Sequence, residues 1–159
     1  LLSKKGPMAL DFFKKVVDIN LIGSFLLTRA VARVFSTQPV NEKGERGLIV
    51  HTASIAAFEG QFGQVAYSAT KSAIVGMILP LARELSKTGI RVMAIAPGMF
   101  ETPMLDNVSS EIRDQLCASV PFPARFGTAE EYAHLVENIM DNQMLNGSVI
   151  RLDGAARLQ

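Results

Sequence analysis

Residues 54–71 read SIAAFEGQFGQVAYSATK. The apolar run 48–50 (LIV) and the HTA that follows it lead into this stretch and give out at Ser54. The pattern predicts a strand over 47–54, an irregular glycine-containing segment over 56–63, and a helix from 64 to 87. The front half of that helix carries Ala66, Ser68, Ala69, Ser72, Ala73 and Gly76, small residues that let another backbone approach closely. Tyr67 and Lys71 are four apart, so on a helix they share a face. A phenol has a reference pKa of about 10, and an ammonium beside it favours the charged form. Such a pair suits proton exchange with an alcohol or carbonyl. A hydroxyl at the strand end, Ser54, is placed to hydrogen-bond the same oxygen. Taken alone, a Tyr and a Lys at this spacing describe a solvated helix face equally well, so the surroundings decide.

Upstream, residues 8–35 place Phe12, Val16, Ile19, Ile22, Leu26, Ala30 and Val34 at helical spacing, with Phe13, Val17, Leu21, Phe25 and Leu27 widening the stripe. A helix so widely apolar is expected to be covered on two sides, by a sheet and by a partner subunit. Asn20 interrupts it. A buried amide needs partners, which leaves two readings: a satisfied structural residue, or a hinge that holds a water near Lys71.

Downstream, Gly89 is a fit C′ residue for the 64–87 helix, and Pro80 predicts a bend within it. IRVMAIA (90–96) reads as a buried strand ended by Pro97 and Gly98. Residues 99–127 form a long connection with its own apolar residues, among them Met99, Phe100, Met104, Leu105, Val120 and Phe126, which predicts a substrate-binding lid. Within it, a short helix over 110–118 is expected with Ser109 or Ser110 as cap. Thr128 and Glu131 form a capping box for a helix to Asp141, and a last strand spans 149–152. Strands alternating with helices give an α/β fold with a doubly wound, Rossmann-like parallel sheet. In such sheets ligands collect beyond the carboxyl ends of the strands, where Ser54, Pro97 and Gly98 lie.

The chain has 159 residues, 48% hydrophobic and 19% charged, with net charge +1. That is enough for one domain with a real core. The basic residues form no stripe of the kind nucleic-acid binding needs, and the uninterrupted apolar run 74–82 is too short to span a bilayer. One cysteine, Cys117, excludes an intrachain disulfide and fits a reducing compartment. His51 and His134 have no metal-ligand spacing. They read as a strand-end and a helix residue. The first residues do not resemble a signal peptide, and the absence of an initial Met suggests that an upstream portion precedes them.

Taken together, these residues resemble the short-chain dehydrogenase/reductase family. Its catalytic Asn, Ser, Tyr and Lys match Asn20 (in DINLIG), Ser54 (in HTASIAA), Tyr67 and Lys71 (in YSATK). Its strand-end PG-x-x-x-T matches Pro97, Gly98 and Thr102, and PFPARFGTAEEYA and GSVIRLDG match its late elements. The resemblance implies hydride exchange between NAD and a secondary alcohol. In that reading Tyr67 moves the proton, Lys71 also holds the nicotinamide ribose, Ser54 orients the substrate oxygen and Asn20 supports a relay water. Pro97, Gly98, Thr102 and the Phe100 backbone would hold the nicotinamide. Gln61 and Gln64 read either as substrate contacts or as solvated loop residues. TASIAAFEGQFGQVAYSATKSAIVGM, RVMAIAPGMFETPML and VPFPARFGTAEEYAHLV look closest to the branch that acts on 3-hydroxyacyl-CoA thioesters and hydroxysteroids. That branch is NAD-dependent, mitochondrial and homotetrameric. Outside it, a cytoplasmic location is expected. The family's amino-terminal strands, its glycine motif G-x-x-x-G-x-G and the acidic residue that selects NAD over NADP are not among these residues. Residues 1–159 therefore read as the carboxyl-terminal part of one Rossmann-like domain. Two alternatives stay open: an NADPH-dependent 3-oxoacyl-thioester reductase, and a non-catalytic fragment.

Overall fold

The computed structural model describes residues 1–4, 6–103 and 109–158. Met104 and Leu105 of the expected lid lie outside the described residues. Three parallel strands form the sheet: β3 (Gly47–Thr52), β4 (Ile90–Pro97) and β5 (Val149–Leu152), in the order β3-β4-β5. A short amino-terminal hairpin, β1 (Leu2–Ser3) and β2 (Gly6–Pro7), stands apart from it.

The central strand β4 sets the layers. Val92, Ala94 and Ala96 face α3 (Val65–Leu85) and pack with Ile74, Ile78 and Ala82. On the opposite face, Met93 and Ile95 pack with Ile139 of α5 (Ala129–Asp141). Alternation with both faces buried is what a strand between two helix layers requires. The fold is Rossmann-like, with helices covering both faces of the parallel sheet. Ala94 and Ala96 add little bulk between β4 and α3. With the turn that follows it, α3 forms the segment Val65–Thr88, long and apolar enough by length and composition to cross a membrane. The uninterrupted run 74–82 had suggested otherwise, but the apolar character spreads over the whole helix. Its inward positions are those packed on the sheet.

Several element ends follow local chemistry. Ser109 caps α4 (Ser110–Ala118), and Thr128 and Glu131 form a complete capping box at α5. Gly89 takes φ +71°, the left-handed conformation that ends the α3 segment. The carboxyl end of α5 leaves carbonyls without helical partners. Arg91 meets two of them, donating to Ile139 O at 2.8 Å and Met140 O at 3.1 Å, and it also donates to Leu145 O in the following turn at 2.9 Å while it pairs with Glu45.

Three expectations are corrected. The 47–54 strand ends at Thr52, because Ser54 turns to cap a single helical turn, Ile55–Ala57. The 64–87 helix begins at Val65 and passes after Leu85 into a 3-10 turn, Ser86–Thr88, while at Pro80 it is unbroken, as expected. The 8–35 helix begins at Leu10, and it is divided into α1 (Leu10–Val17), a π-helical turn (Asp18–Ile22) and α2 (Gly23–Phe35). Thr28 is its one buried residue in the described chain, and Phe12, Ile19, Phe25, Leu26, Leu27 and Val34 are exposed in this single chain. Beside α2, β3 is an edge strand of the sheet.

Candidate active site

The carboxyl end of β3 and the front of α3 are joined by one hydrogen bond. Lys71 Nζ donates to the Thr52 carbonyl at 2.9 Å. Burial lowers the Lys71 pKa from its ordinary value, and a carbonyl acceptor offsets part of that desolvation. The ammonium lies 5.6 Å from the centre of the Tyr67 ring. Tyr67 itself is 38% exposed. The helix thus presents both side chains on one face, as their spacing predicts.

Two residues past Thr52, Ser54 is buried, and its Oγ accepts from Ala56 N at 3.1 Å. The loop it opens is held to α3 by Ser72, whose hydroxyl donates to Ala57 O at 2.6 Å. Gly60 lies so near α3 that a Cβ there would meet Ser68 Oγ at 2.1 Å. Any larger residue would push the loop away from the turn that bears Tyr67.

Asn20 sits in the π-helical turn, a distortion that recurs at functional sites. Its Nδ2 donates to Thr70 Oγ1 at 3.1 Å, directly before Lys71 in sequence. Asn20, Thr52 and Lys71 line one open cleft, together with Ser24, Thr28 and His51, along the free edge of β3.

Pro97 ends β4, and Gly98 N donates to Leu152 O at 2.9 Å. A Cβ on Gly98 would come within 2.8 Å of Asp153 Cβ, so glycine is required by close approach. Residues 99–127 are pinned at both ends: Gly127 N donates to Met99 O and Glu101 N donates to Gly127 O, each at 2.9 Å. Phe100 lies against Gly127, and Thr102 is half-buried before the undescribed residues 104–108.

The sequence profile of the short chain dehydrogenase family matches residues 4–113. The chain belongs to the short-chain dehydrogenase family. It is 52% identical over 158 residues to 3-hydroxyacyl-CoA dehydrogenase type-2 of Bos taurus, covering 99% of this chain and 60% of that protein. The crystal structure of 3-hydroxyacyl-CoA dehydrogenase type-2 from Mycobacterium avium matches with a TM-score of 0.96 at 42% identity, covering 99% of this chain and 62% of that one. A 3-oxoacyl-(acyl-carrier protein) reductase with bound NAD from Brucella melitensis matches with a TM-score of 0.76 at 32% identity, covering 96% and 54%. The chain spans about three-fifths of the length of the curated relatives it matches.

Short-chain dehydrogenases use nicotinamide cofactors, and the donor set here fits one. An ammonium has three N–H donors, and Thr52 takes one of those on Lys71. The others have no partner among the described residues, and Lys71 lines the open cleft along the free edge of β3. Of the two glutamines read as substrate contacts, Gln64 accepts from Gln61 N at 2.9 Å through its Oε1 and so closes its own loop. The Gln61 side chain is exposed beside it.

Two further polar groups carried no sequence signal. The Tyr132 hydroxyl lies 2.7 Å from Thr52 Oγ1 across 80 residues of sequence. Arg151 pairs with Glu59 and Asp153, linking the loop after Ser54 to the end of β5.

His51 is buried, and its Nε2 lies 3.1 Å from Thr28 Oγ1. The Thr28 hydroxyl donates to Ser24 O at 2.8 Å, which assigns the neutral Nε2–H tautomer to His51. Burial holds its pKa below the ordinary 6.5. As pH falls, the unfolded chain therefore takes up this proton first. The contribution to stability is present above about pH 6.5 and is lost as pH falls through the folded value. The denaturation midpoint of the intact protein is expected to drop as pH falls below about 6.5, and His51→Gln to flatten that drop. Equal slopes for the two proteins would contradict this.

Proposed function

We propose that this chain carries the catalytic portion of an NAD-dependent dehydrogenase that oxidises the secondary alcohol of 3-hydroxyacyl-CoA thioesters, and more slowly that of hydroxysteroids. The observation that carries the reading is the Tyr67–Lys71 face of α3, tied through Lys71 to the strand end that leads to Ser54. In this reading Tyr67 takes the hydroxyl proton during oxidation and returns it during reduction. Lys71 places a cation beside the phenol and holds the nicotinamide ribose. Ser54 Oγ donates to the substrate oxygen, which requires only that its own proton stay free while its lone pair accepts from Ala56 N. The Asn20 turn supports a water that links Lys71 to solvent. NAD, when bound, accepts the hydride from the alcohol carbon. The backbone at Pro97, Gly98, Phe100 and Thr102 would hold its carboxamide.

Residues 99–127 act as the substrate lid. Met99, Val120 and Pro123 line a cleft of about 280 Å³ there, and burying apolar substrate surface yields roughly 25 cal/mol per Å². An acyl chain or steroid suits such a lining better than a sugar does. Gln61 is assigned to polar parts of the substrate. The likeness to 3-oxoacyl-(acyl-carrier protein) reductases supports the reverse chemistry as the second reading, with NADPH as its cofactor resting on the family resemblance alone. The exposed α1–α2 face and the small residues of α3 support a homotetramer. A mitochondrial location rests on the family resemblance.

Tyr67→Phe in the intact protein is expected to lower kcat by about 100- to 10,000-fold with the unfolding midpoint unchanged. Retention of more than a few per cent of activity, or a preference for polyols over acyl thioesters in the parent enzyme, would overturn the reading. In light scattering the intact protein is expected at four times its chain mass. A monomer at micromolar concentration would exclude the assembly.

A further inference from the structure

The side-chain amide of Asn20 meets α3 at one atom. Its Nδ2 lies 3.1 Å from Thr70 Oγ1, across 50 residues of sequence. Thr70 is 1% exposed and directly precedes Lys71. The same hydroxyl lies 2.8 Å from Tyr67 O. Two oxygens that close need a proton between them, and the carbonyl has none. The single proton of the hydroxyl is therefore committed to Tyr67 O, and toward Asn20 Thr70 can only accept. The atom that faces it must carry N–H, so the amide turns Nδ2 inward and Oδ1 outward. The backbone of the π-helical turn is held by a different bond, Ser24 Oγ to Asn20 O at 2.6 Å. That bond does not fix which way the amide faces.

We infer that Thr70 is a positioning residue, whose hydroxyl turns the Asn20 amide so that Oδ1 faces the cleft that Asn20 and Lys71 both line. Thr52 takes one N–H of Lys71, and an ammonium offers donors only. A relay water beside it must accept an N–H through its oxygen and direct its own hydrogens elsewhere. An amide oxygen accepts one of those hydrogens and holds the water in that orientation. An NH2 group turned the same way would compete with Lys71 for the lone pairs of the water. Asn20 is half-buried, and its Oδ1 has no protein partner among the described residues, so it is open to such a water. Thr70 does not place Tyr67, which its own helix already holds. The role of Thr70 is indirect: it contacts neither cofactor nor substrate, and it acts through Asn20 alone.

This inference rests on the dehydrogenase reading, and its test separates the two. Thr70→Val removes the hydroxyl and keeps the shape, while Thr70→Ser keeps the hydroxyl. Both are made in the intact protein and assayed well below their unfolding midpoints. Thr70→Val is expected to lower kcat for alcohol oxidation by about two- to tenfold, the worth of one neutral hydrogen bond. It is also expected to raise the solvent deuterium isotope effect on kcat, because proton release then limits turnover more. Thr70→Ser is expected to match the parent in both. An unchanged isotope effect in Thr70→Val, or an equal loss of rate in Thr70→Ser, would overturn the assignment. Thr70→Ala, which suits a helix interior, carries the same test should Thr70→Val not fold. A readout independent of turnover is the crystal structure of Thr70→Val. The Asn20 side chain is expected to leave its parental rotamer, because Nδ2 has lost its acceptor. An amide that keeps that rotamer overturns the inference whether or not the protein is active. Activity surviving in Tyr67→Phe overturns the dehydrogenase reading instead.

Discussion

A single donor–acceptor pair, Lys71 Nζ to the Thr52 carbonyl, ties helix to strand at the carboxyl end of β3. A partly buried ammonium is costly unless acceptors replace lost water. The acceptor here is a strand-end carbonyl whose own orientation is set by the parallel ladder to β4. The bond therefore does two things. It makes the burial of Lys71 tolerable, and it fixes the rotation of α3 about its axis. Tyr67 lies one turn earlier, its ring centre 5.6 Å from the Lys71 ammonium, and Ser54 follows two residues after the acceptor. The alanines of β4 allow this, because larger side chains there would hold Ile74 and Ile78 of α3 farther from the sheet.

The sheet imposes a second constraint. β4 is paired on both sides and buried on both faces, while β3 carries a free edge next to a cleft with Ile19 and Ile49 in its wall. Free parallel edges and wide apolar helix faces call for partners. The share of the relatives' length covered by this chain agrees with that demand, since the matched proteins continue well beyond the aligned residues. The proposed function places the nicotinamide end of a dinucleotide at the strand ends and α3. The glycine turn that would receive pyrophosphate is not among these residues.

Local chemistry was legible in the sequence. The Thr128–Glu131 capping box, the Ser109 cap, the left-handed Gly89 and the bounds of β5 all follow from short-range rules that the structure obeys. The Tyr67–Lys71 face was legible for the same reason, because four residues fix a helix azimuth. Longer-range features were not. Nothing near Tyr132 indicates that its hydroxyl would meet Thr52, and the pairing of Arg151 with Glu59 depends on where β5 ends relative to the loop after Ser54. The π-helical turn at Asn20 adds a residue to an otherwise regular apolar stripe, which periodicity cannot distinguish from a wider face. The wide apolar stripe of α1–α2 was itself legible, and it lies exposed in this single chain.

The central claim is that hydride leaves a secondary alcohol carbon held beside Tyr67. The most direct measurement uses a 3-hydroxyacyl-CoA thioester carrying deuterium on that carbon, incubated with the intact protein and NAD. Mass spectrometry of the cofactor then locates the label. The account predicts one deuterium in the reduced nicotinamide for each ketone formed. Ketone formed with an unlabelled cofactor, or no ketone at all, would contradict it.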